Sequence, residues 1–360
     1  MLMKKSIGRR FGRIGLTILA LILLAVIGYV AYLLLQYSRI EDNLPLEVAE
    51  NAAGEISADQ EYTIVTWNLG FGAYSADYSF FMDGGKESRA YSKDAVYENI
   101  SGAIERLNAL NPDLMLLQEI DTDSTRSYHV NERELLETAF PEKTSVFAVN
   151  YHSAYLMYPF TEPHGQSNSG ILTFSDFEIQ SSVRRSLPIE TGLTKFLDLD
   201  RCYSVSRIPV ANGKTLCLYN LHLSAYTTDG TIANDQLEML LADMRGEYES
   251  GNYVVGGGDF NKDLLGNSAE VFGVSGGDYT WAQSIPESIL GSGVELEVSE
   301  NLVPSCRNTD IGYEPGKSFV VTVDGFLVSD NVEVTSVETV DAGFAVSDHN
   351  PVKMVFRLIG

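Results

Sequence analysis

The hydrophobic pattern of the chain opens with a long apolar run near the N-terminus. Residues 14–35 are uncharged and mostly apolar, and a helix of about 20 such residues crosses roughly 30 Å of hydrocarbon. No acid occurs in the first 13 residues, which contain five cations: Lys4, Lys5, Arg9, Arg10 and Arg13. A basic flank of this kind stays in the cytoplasm. The pattern predicts a basic cytoplasmic N-terminus over residues 1–13, a single-pass cell-membrane anchor over residues 14–36, and an extracytoplasmic remainder.

A cleaved signal peptide and a buried core helix are the two alternatives to a membrane anchor over this apolar run. A cleaved signal peptide has an apolar core of about 7–15 residues that ends at a small-residue cleavage site. Here the run is longer and continues into Tyr37-Ser38-Arg39, which favours a retained anchor. A buried core helix is disfavoured by the cations beside it. The polar, acidic residues 37–60 indicate a linker, so the main folded domain is expected over residues 61–360.

Beyond residue 60 the apolar positions change repeatedly between helical and strand-like spacing. They predict helices from Ser92 to Asn111 and from Ile232 to Met244. They predict strands over Tyr62–Trp67, Leu114–Leu117, Cys202–Val210, Thr215–Leu221, Tyr253–Val255, Phe319–Val328, Val332–Val340 and Val352–Leu358. Strands mixed with helices, followed by a β-rich tail, favour an α/β layered domain with mixed sheets over a doubly wound parallel sheet.

Composition and charge narrow the classes of function. The 360 residues are 44% hydrophobic and 21% charged, which is ordinary for a globular protein. From residue 41 onward 19 Lys and Arg face all 49 Asp and Glu, a balance of −30. Such a surface predicts no strong affinity for nucleic acid, because polyanion binding needs an excess of cations. Three scattered cysteines form neither a disulfide framework nor a paired zinc motif.

The candidate chemistry lies in polar residues that directly follow or interrupt apolar strands. A carboxylate, amide or imidazole at the end of a core strand is exposed at the rim of the sheet, where active sites are assembled. A single residue of this kind is usually a turn or cap residue, but this chain repeats the pattern six times. The residues are Asn68, Glu119, His222, Asp259 with Asn261, Asp324, and Asp348 with His349.

These residue types suit metal-assisted chemistry on a phosphate ester. Glu119, Asp259 and Asp348 supply hard oxygen ligands, which suit Mg²⁺ or Mn²⁺. His222 and His349 can act as acid and base in the hydrolysis of a phosphodiester. The two asparagines of the set offer uncharged donors to a phosphoryl oxygen or to a water on the metal.

The ordered set of motifs resembles the endonuclease/exonuclease/phosphatase superfamily, which includes deoxyribonucleases, apurinic endonucleases, bacterial sphingomyelinases and inositol-polyphosphate phosphatases. The motifs are TWNLGFG, LMLLQEID, YNLHLSA, VVGGGDFNKDL, VDGFLVS and SDHNPV, and they span Asn68 to Pro351. GDFN and SDHNPV are weak signals alone, whereas the ordered set is specific. The resemblance implies a four-layered α/β sandwich of two mixed sheets flanked by helices, preceded here by one transmembrane helix.

The resemblance also implies roles for individual residues in this chain. Glu119 would be the main ligand of a Mg²⁺ or Mn²⁺ ion, with Asn68 assisting it and Asp348 lying against the metal. Asp259 and Asn261 would hold the phosphate, the nucleophilic water or a second metal.

The remaining roles concern proton transfer and phosphate binding. His349 would be the general base, oriented and charged by Asp324, and His222 would be the second histidine, acting as acid or phosphate donor. Arg201 resembles a phosphate-contacting arginine, with Arg207 as its alternative and a surface salt bridge as a third interpretation. Asn168 matches a site-facing amide.

The motifs indicate the reaction type without the substrate, because one such site serves many esters. The external tether, the acidic charge, and the likeness of NLGFG and NLHLSA to sphingomyelinases favour a membrane-anchored phosphodiesterase or phosphatase acting on lipid headgroups. The first alternative is a surface nuclease with a basic cleft around Arg184, Arg185 and Arg201. The second is a surface binding protein that has lost activity, which the retained acids and histidines disfavour. The expected partners are a phosphate ester and the membrane, and the motifs leave the oligomeric state open.

Overall fold

A computed structural model of the chain describes residues 2–49, 52–192, 195, 200–225, 231–275 and 281–360. Its first element is one continuous helix, α1, over Leu2–Gln36. Among the described residues one helical segment is long and apolar enough to cross a membrane, Phe11–Gln36, with a mean hydropathy of 2.8 and no buried part. The predicted anchor over residues 14–36 therefore coincides with a helix whose apolar side chains are exposed.

After α1 the described residues contain 18 β-strands and four further α-helices. The helices are α2 (Lys93–Leu110), α3 (Glu132–Ala139), α4 (Thr231–Glu249) and α5 (Ser268–Val271). The strands up to the middle of the chain are β1 (Leu44–Pro45), β2 (Val48–Ala49), β3 (Glu61–Asn68), β4 (Leu114–Asp121), β5 (Thr144–His152), β6 (Asn168–Ser175), β7 (Ser181–Ser186), β8 (Cys202–Pro209) and β9 (Thr215–His222). The later strands are β10 (Tyr253–Asp259), β11 (Lys262–Asp263), β12 (Gln283–Ser284), β13 (Val294–Glu297), β14 (Cys306–Arg307), β15 (Val320–Val321), β16 (Asp324–Ser329), β17 (Val332–Thr339) and β18 (Val352–Leu358).

Two seven-stranded mixed sheets pack face to face. The strand order is β1-β7-β8-β9-β10-β16-β13 in the first sheet and β17-β18-β3-β4-β6-β5-β2 in the second. Apolar side chains from both sheets, such as Leu116 and Val255, form the core between them. Helices α2 and α3 cover the outer face of the second sheet, and α4 covers that of the first. The predicted four-layered α/β sandwich is confirmed.

The predicted helix from Ser92 to Asn111 shows how closely local signals define an element. Ser92 is the N-cap of α2, because its side chain accepts a hydrogen bond from the backbone of Ala95. Asn111 ends the helix in the left-handed conformation, at φ 43°. Val96, Ile100 and the other apolar residues of one face are buried against the sheet.

The predicted strands agree with the structure at all but one place. Strands β3, β4, β8, β9, β10, β17 and β18 lie on the predicted segments. The predicted strand Phe319–Val328 is instead divided into β15 and β16, because Asp324 begins a new strand in the first sheet. Cys202, Cys217 and Cys306 are free and buried.

The segment over residues 37–60, expected as a linker, packs against the sandwich along much of its length. Strand β1 pairs with β7 at the edge of the first sheet, and β2 pairs with β5 at the edge of the second. Ile56 is fully buried in the core between the sheets. The apolar residues Leu46, Val48 and Ile56 explain this packing, since each removes apolar surface from water.

Candidate active site

The topology of the first sheet brings three of the predicted residues side by side. Strand β9 ends at His222, and β10 ends at Asp259 beside it, because the two strands are parallel and in register. Strand β16 is antiparallel to β10 and begins at Asp324, which pairs with Asp259. His222, Asp259 and Asp324 therefore occupy one row across neighbouring strands, all at the same rim of the sheet.

The second sheet contributes Asn68 and Glu119 at the facing rim. Asn68 is the last residue of β3 and pairs with Gln118 of the parallel strand β4. The next residue, Glu119, lies at a β-bulge and has a positive φ of 57°. A bulge turns a side chain out of the regular alternation, and a positive φ is strained for a residue with a Cβ. The strand is therefore distorted where it presents the carboxylate of Glu119.

A buried polar contact links the sheets directly below these residues. Gln118 Nε2 donates to Asn220 Oδ1 at 2.9 Å, and Asn220 Nδ2 donates to the carbonyl of Leu172 at 3.2 Å. Both side chains are fully buried. Gln118 precedes Glu119, and Asn220 lies two residues before His222, so this contact fixes the distance between the two halves of the site.

Asn68 connects two carboxylates across the site. Its Nδ2 donates to Asp259 Oδ2 at 3.0 Å and lies 3.4 Å from Glu119 Oε1. Its Oδ1 accepts a hydrogen bond from the backbone of Gly70 at 2.9 Å. The amide nitrogen therefore faces the carboxylates, and Asn68 positions Asp259 and Glu119 instead of offering a donor to a substrate.

His349 lies between the carboxylates of Asp324 and Asp259. Its Nδ1 is 2.8 Å from Asp324 Oδ2, and its Nε2 is 3.7 Å from Asp259 Oδ2. Asp324 is held in turn by the hydroxyl of Ser305, which donates to Oδ2 at 2.8 Å. The backbone carbonyl of His349 accepts a hydrogen bond from Trp67 Nε1 at 2.8 Å. Asp324 and His349 are thus paired as the resemblance implies, and the pairing holds the imidazole at Nδ1.

The two site histidines have opposite electrostatic surroundings. Burial opposes a charge on His349, but the adjacent carboxylate of Asp324 raises the pKa of that imidazole well above its usual range. Burial lowers the pKa of His222 well below its usual range, and the nearby positive charge of Arg201 adds to the effect. His222 is therefore neutral at neutral pH, with Nε2 3.5 Å from Asp259 Oδ2.

The carboxylates of the site fit a divalent cation. Burial raises the pKa of Asp348 to about 6, and the charge of Glu119 contributes to the rise. Burial also raises the pKa of Asp259 to about 7. Asp259, Asp324 and His349 place potential ligand atoms within 4.8 Å of one another. Crowded buried carboxylates favour a bound cation, and hard oxygen donors suit Mg²⁺ or Mn²⁺.

These residues line one open cleft. Seven of the ten predicted site residues lie on its walls: Glu119, Arg201, His222, Asp259, Asn261, Asp348 and His349. Asn68 and Asp324 lie directly behind the walls and are bonded to Asp259 and His349. The side chain of Asn261 donates to the carbonyl of Leu223 at 2.8 Å, so its amide nitrogen, too, is engaged within the protein.

The structure separates the two candidate arginines. Arg201 precedes β8 and lines the cleft near His222. Arg207 lies in β8 and forms an ion pair with Glu247 of α4, outside the cleft lining. Arg201 is therefore the arginine within reach of a bound phosphate.

Asn168 does not line the cleft, contrary to the sequence prediction. It begins β6, and its backbone is bonded to Ser124. Asn150 of the neighbouring strand β5 supplies an amide to the cleft instead, and its Nδ2 is buried without a hydrogen-bond partner among the described residues. Asn150 follows the apolar residues of β5, so the strand-end rule used for the other site residues would have found it.

Sequence reasoning also missed two buried arginines of the cleft wall. Arg126 forms an ion pair with Asp121 at 2.8 Å and stacks on the ring of Phe71, 3.9 Å from its centroid. Arg307 donates to backbone carbonyls, including those of Ser75 and Tyr78 at 3.0 and 3.2 Å. Neither arginine ends an apolar run. Arg126 lies only five residues after Asp121, whereas the ring of Phe71 and the carbonyls bonded to Arg307 are distant in sequence.

Comparison with known proteins identifies a protein family and solved structures of similar fold. The model of the Endonuclease/Exonuclease/phosphatase family matches residues 65–349. A solved endonuclease/exonuclease/phosphatase from Beutenbergia cavernae DSM 12333 has a TM-score of 0.56 and 17% identity, covering 84% of this chain and 72% of its own. D. rerio TDP2, complexed with a single-strand DNA product, has a TM-score of 0.54 and 15% identity, covering 83% of this chain and 100% of its own. No curated protein matches in a sequence search.

A third solved structure is the human nocturnin catalytic domain with a bound sulfate anion. It has a TM-score of 0.51 and 17% identity, covering 87% of this chain and 97% of its own. At these identities the likeness concerns the fold. The family match covers most of the chain, including every strand that ends in the site. The chain therefore belongs to the endonuclease/exonuclease/phosphatase family, whose members are hydrolases of phosphoester bonds.

Proposed function

We propose that the protein is a membrane-anchored, extracytoplasmic phosphoesterase that hydrolyses phosphodiesters of lipid headgroups with a divalent cation. The observation that carries the proposal is the convergence of Glu119, Asp259 and His349 in one open cleft. Glu119 lies in β4 of the second sheet, Asp259 ends β10 of the first sheet, and His349 lies in the segment between β17 and β18. A binding protein without chemistry has no need to keep the buried carboxylates of Asp259 and Asp324 side by side, because such a pair is costly to fold.

A cation in this cleft would be held by Glu119 and Asp348, with Asn68 keeping Glu119 in place. When bound, it polarises a phosphoryl oxygen and neutralises charge that develops in the transition state. We assign these ligands from their oxygen chemistry and from the charge of Glu119, which acts on Asp348. Mg²⁺ and Mn²⁺ share this preference, and both belong to the proposal.

The side chains of the cleft then divide the work of hydrolysis. His349 takes a proton from the attacking water through Nε2, while Asp324 holds the ring through Nδ1. The raised pKa of His349 must fall before the imidazole can accept a proton. A divalent cation held by the neighbouring carboxylates would lower that pKa. Neutral His222 donates from Nε2 to a phosphoryl oxygen. Arg201 contributes positive charge in the cleft near His222.

The preference for a lipid ester is supported by charge and by attachment. Of the arginines expected to form a basic nuclease cleft, Arg184 and Arg185 do not line it. Arg184 is buried and bonded to backbone carbonyls, whereas Arg185 pairs with Asp42 and Asp243. Arg201 alone of the three lines the cleft. The chain beyond residue 40 has a charge balance of −30, which also opposes a long polyanion.

The test is an activity panel with the full-length protein in detergent micelles. The substrates are bis(4-nitrophenyl) phosphate, sphingomyelin, phosphatidylinositol, plasmid DNA and inositol phosphates, each assayed with Mg²⁺ and with EDTA. We expect turnover of the artificial diester and of a lipid, abolished by EDTA. Turnover of DNA in preference to lipid would support the nuclease, and no metal-dependent turnover at all would support the inactive binding protein.

The direction of insertion is part of the same proposal. The cations before the apolar run favour a cytoplasmic N-terminus and an external catalytic domain. Protease treatment of intact cells tests this directly. Digestion of the domain from outside is the expected outcome, and protection until the cells are lysed would reverse the orientation.

A further inference from the structure

The loop between β5 and β6 carries a concentrated set of exposed apolar side chains. We call residues 153–167 the aromatic loop. Beyond Gln36, eleven large apolar side chains are exposed in the described part of the chain, and four of them lie in one six-residue stretch of this loop. They are Tyr155, Met157, Tyr158 and Phe160, at 37%, 45%, 63% and 82% exposed. Clustered exposed apolar surface marks an interaction site, whereas scattered single residues do not.

The aromatic loop is bonded to the apolar helix α1. The hydroxyl of Tyr29 accepts from the backbone of Met157 and donates to the carbonyl of Tyr155, each at 3.1 Å. The hydroxyl of Tyr32 accepts from the backbone of Tyr155 at 3.1 Å. The two tyrosine rings stack on each other at 6.2 Å between centroids. The two phenol hydroxyls of the helix therefore bond three backbone groups of the loop. Backbone groups that enter a membrane need such partners, because no water is available there.

These contacts fix the height of the loop relative to a bilayer crossed by α1. Arg13 is the last cation before the apolar run, and about 20 residues at 1.5 Å each cross roughly 30 Å of hydrocarbon. Counting from Ile14, the outer hydrocarbon boundary falls near Leu33. Tyr32 is then at the boundary, and Tyr29 lies about 6 Å inside it. A tilted helix needs more residues to cross, so tilt places the loop deeper.

The same loop forms one side of the cleft. The ring of Tyr158 lies 5.8 Å from that of Phe81, which lies 6.0 Å from the ring of His164. His164 and Met82, next to Phe81, line the cleft, as does Asn150 in the strand that leads into the loop. The path from the membrane helix to the cleft wall is therefore continuous and short.

We propose that the aromatic loop lies in the outer interface of the bilayer, so that the cleft opens onto the headgroups of the outer leaflet. The bilayer is the occupant of this surface because α1 supplies the adjoining membrane span. Tyrosine and other aromatic residues are favoured at that depth. The position of the loop does not depend on the enzyme's activity. The consequence that the substrate is a phospholipid already in the membrane rests on the proposed function.

A fluorescence measurement tests the position of the loop without using activity. Phe160→Cys is labelled with an environment-sensitive fluorophore in the full-length protein, reconstituted in phosphatidylcholine vesicles that contain spin-labelled lipid. Leu302→Cys is the matched control, because Leu302 is 77% exposed and its neighbour Asn301 is bonded to Thr339 at the far edge of the second sheet. The three native cysteines are buried. We expect a blue shift and lipid quenching at position 160 only, and equal emission at both positions would overturn the proposal.

An activity measurement tests the consequence for the substrate. Phe160→Asp should lower turnover of sphingomyelin vesicles several-fold and leave turnover of bis(4-nitrophenyl) phosphate unchanged, because a charge in the interface opposes insertion. Leu302→Asp should change neither. Equal effects of Phe160→Asp on the two substrates would contradict a membrane role for the loop. If the wild type hydrolyses neither substrate, the proposed function fails, and the fluorescence result alone decides where the loop lies.

Discussion

The floor of the cleft and the aromatic loop differ in almost every physical respect. The floor comprises Glu119, Asp259, Asp324, Asp348 and His349. Of these, Asp259, Asp324 and His349 are at most 5% exposed, and hydrogen bonds from Asn68, from Ser305 and between Asp324 and His349 hold them in place. Phe160 in the loop is 82% exposed. The floor is built of charged and polar groups on a rigid sheet, whereas the loop is apolar and is bonded to a helix outside the sandwich.

The comparison suggests that the reaction and its location depend on different regions of the protein. Few substitutions are tolerated around a buried carboxylate, because each such group needs a hydrogen-bond partner or a cation. The floor therefore determines the chemistry, and the family match covers it. An exposed loop costs little to vary. In our proposal the loop and α1 determine which esters reach the floor, and the predictions below act on one region or the other.

The largest expected effect is that of Glu119→Gln on the floor. The substitution removes the charge that would hold the cation and keeps the shape of the side chain, so we expect turnover to fall on the order of 10³-fold for every substrate. Steady-state assays of soluble and vesicle substrates measure it. Glu249→Gln at the exposed end of α4 is the control. A loss confined to vesicle substrates would contradict the division between floor and loop.

His349→Ala should reduce turnover by about 10²–10⁴-fold, the range expected for a general acid or base. Circular dichroism should show a folded protein, because the ring is replaced without a larger group. His129→Ala is the control, since the His129 side chain is 62% exposed and pairs with Asp123, outside the cleft lining. Near-normal activity of His349→Ala would remove the base assignment.

The pH dependence of kcat in the Asp324→Asn variant tests whether His349 acts as a base. Because Asp324 raises the pKa of His349, its neutralisation lowers that pKa. A base works in its neutral form, so activity that requires neutral His349 is lost as pH falls through its pKa. The acid limb of the pH–rate profile should therefore move to lower pH. A shift of the alkaline limb to lower pH would instead identify His349 as a proton donor.

The smallest effect concerns the joint between α1 and the sandwich. Arg39 follows the helix and pairs with the fully buried Asp200 at 2.6 Å. Arg39→Ala should lower the free energy of unfolding by about 1–3 kcal/mol, because Asp200 loses a charged partner. Thermal unfolding in detergent measures it, with Arg357→Ala, at the exposed pair with Glu333, as control. Equal Tm values for the two variants would show that the joint is not stabilised by this pair.

Most of the floor could be predicted from sequence because it follows from strands. Apolar runs that end in Asn68, His222 or Asp259 place those residues at a sheet rim, and short-range pattern is enough to find them. Asn168 was misassigned because sequence does not show which of two paired strands directs its amide inward. Arg307 was missed because its partners depend on tertiary packing. Arg126 was missed although Asp121 lies five residues before it, because no apolar strand ends at Arg126.

The loop was not predicted at all, and the reason is also physical. The segment from Tyr155 to Phe160 has no strand or helix period, so its apolar residues indicate neither a face nor a partner. The role that we propose for the loop rests on three hydrogen bonds to α1, a helix more than a hundred residues earlier in the chain. The linker was misjudged for a related reason, since its few apolar residues fill the edges of sheets built later in the chain.

Binding of Mn²⁺, followed by the loss of its free electron paramagnetic resonance signal, tests the central claim that the carboxylates of the floor hold a divalent cation. The full-length wild type and Glu119→Gln are titrated in detergent micelles without substrate. We predict saturable binding by the wild type that Mg²⁺ displaces, and binding by the variant weaker by about tenfold or more. Equal affinity of the two proteins for Mn²⁺, or no binding by the wild type, would contradict the account.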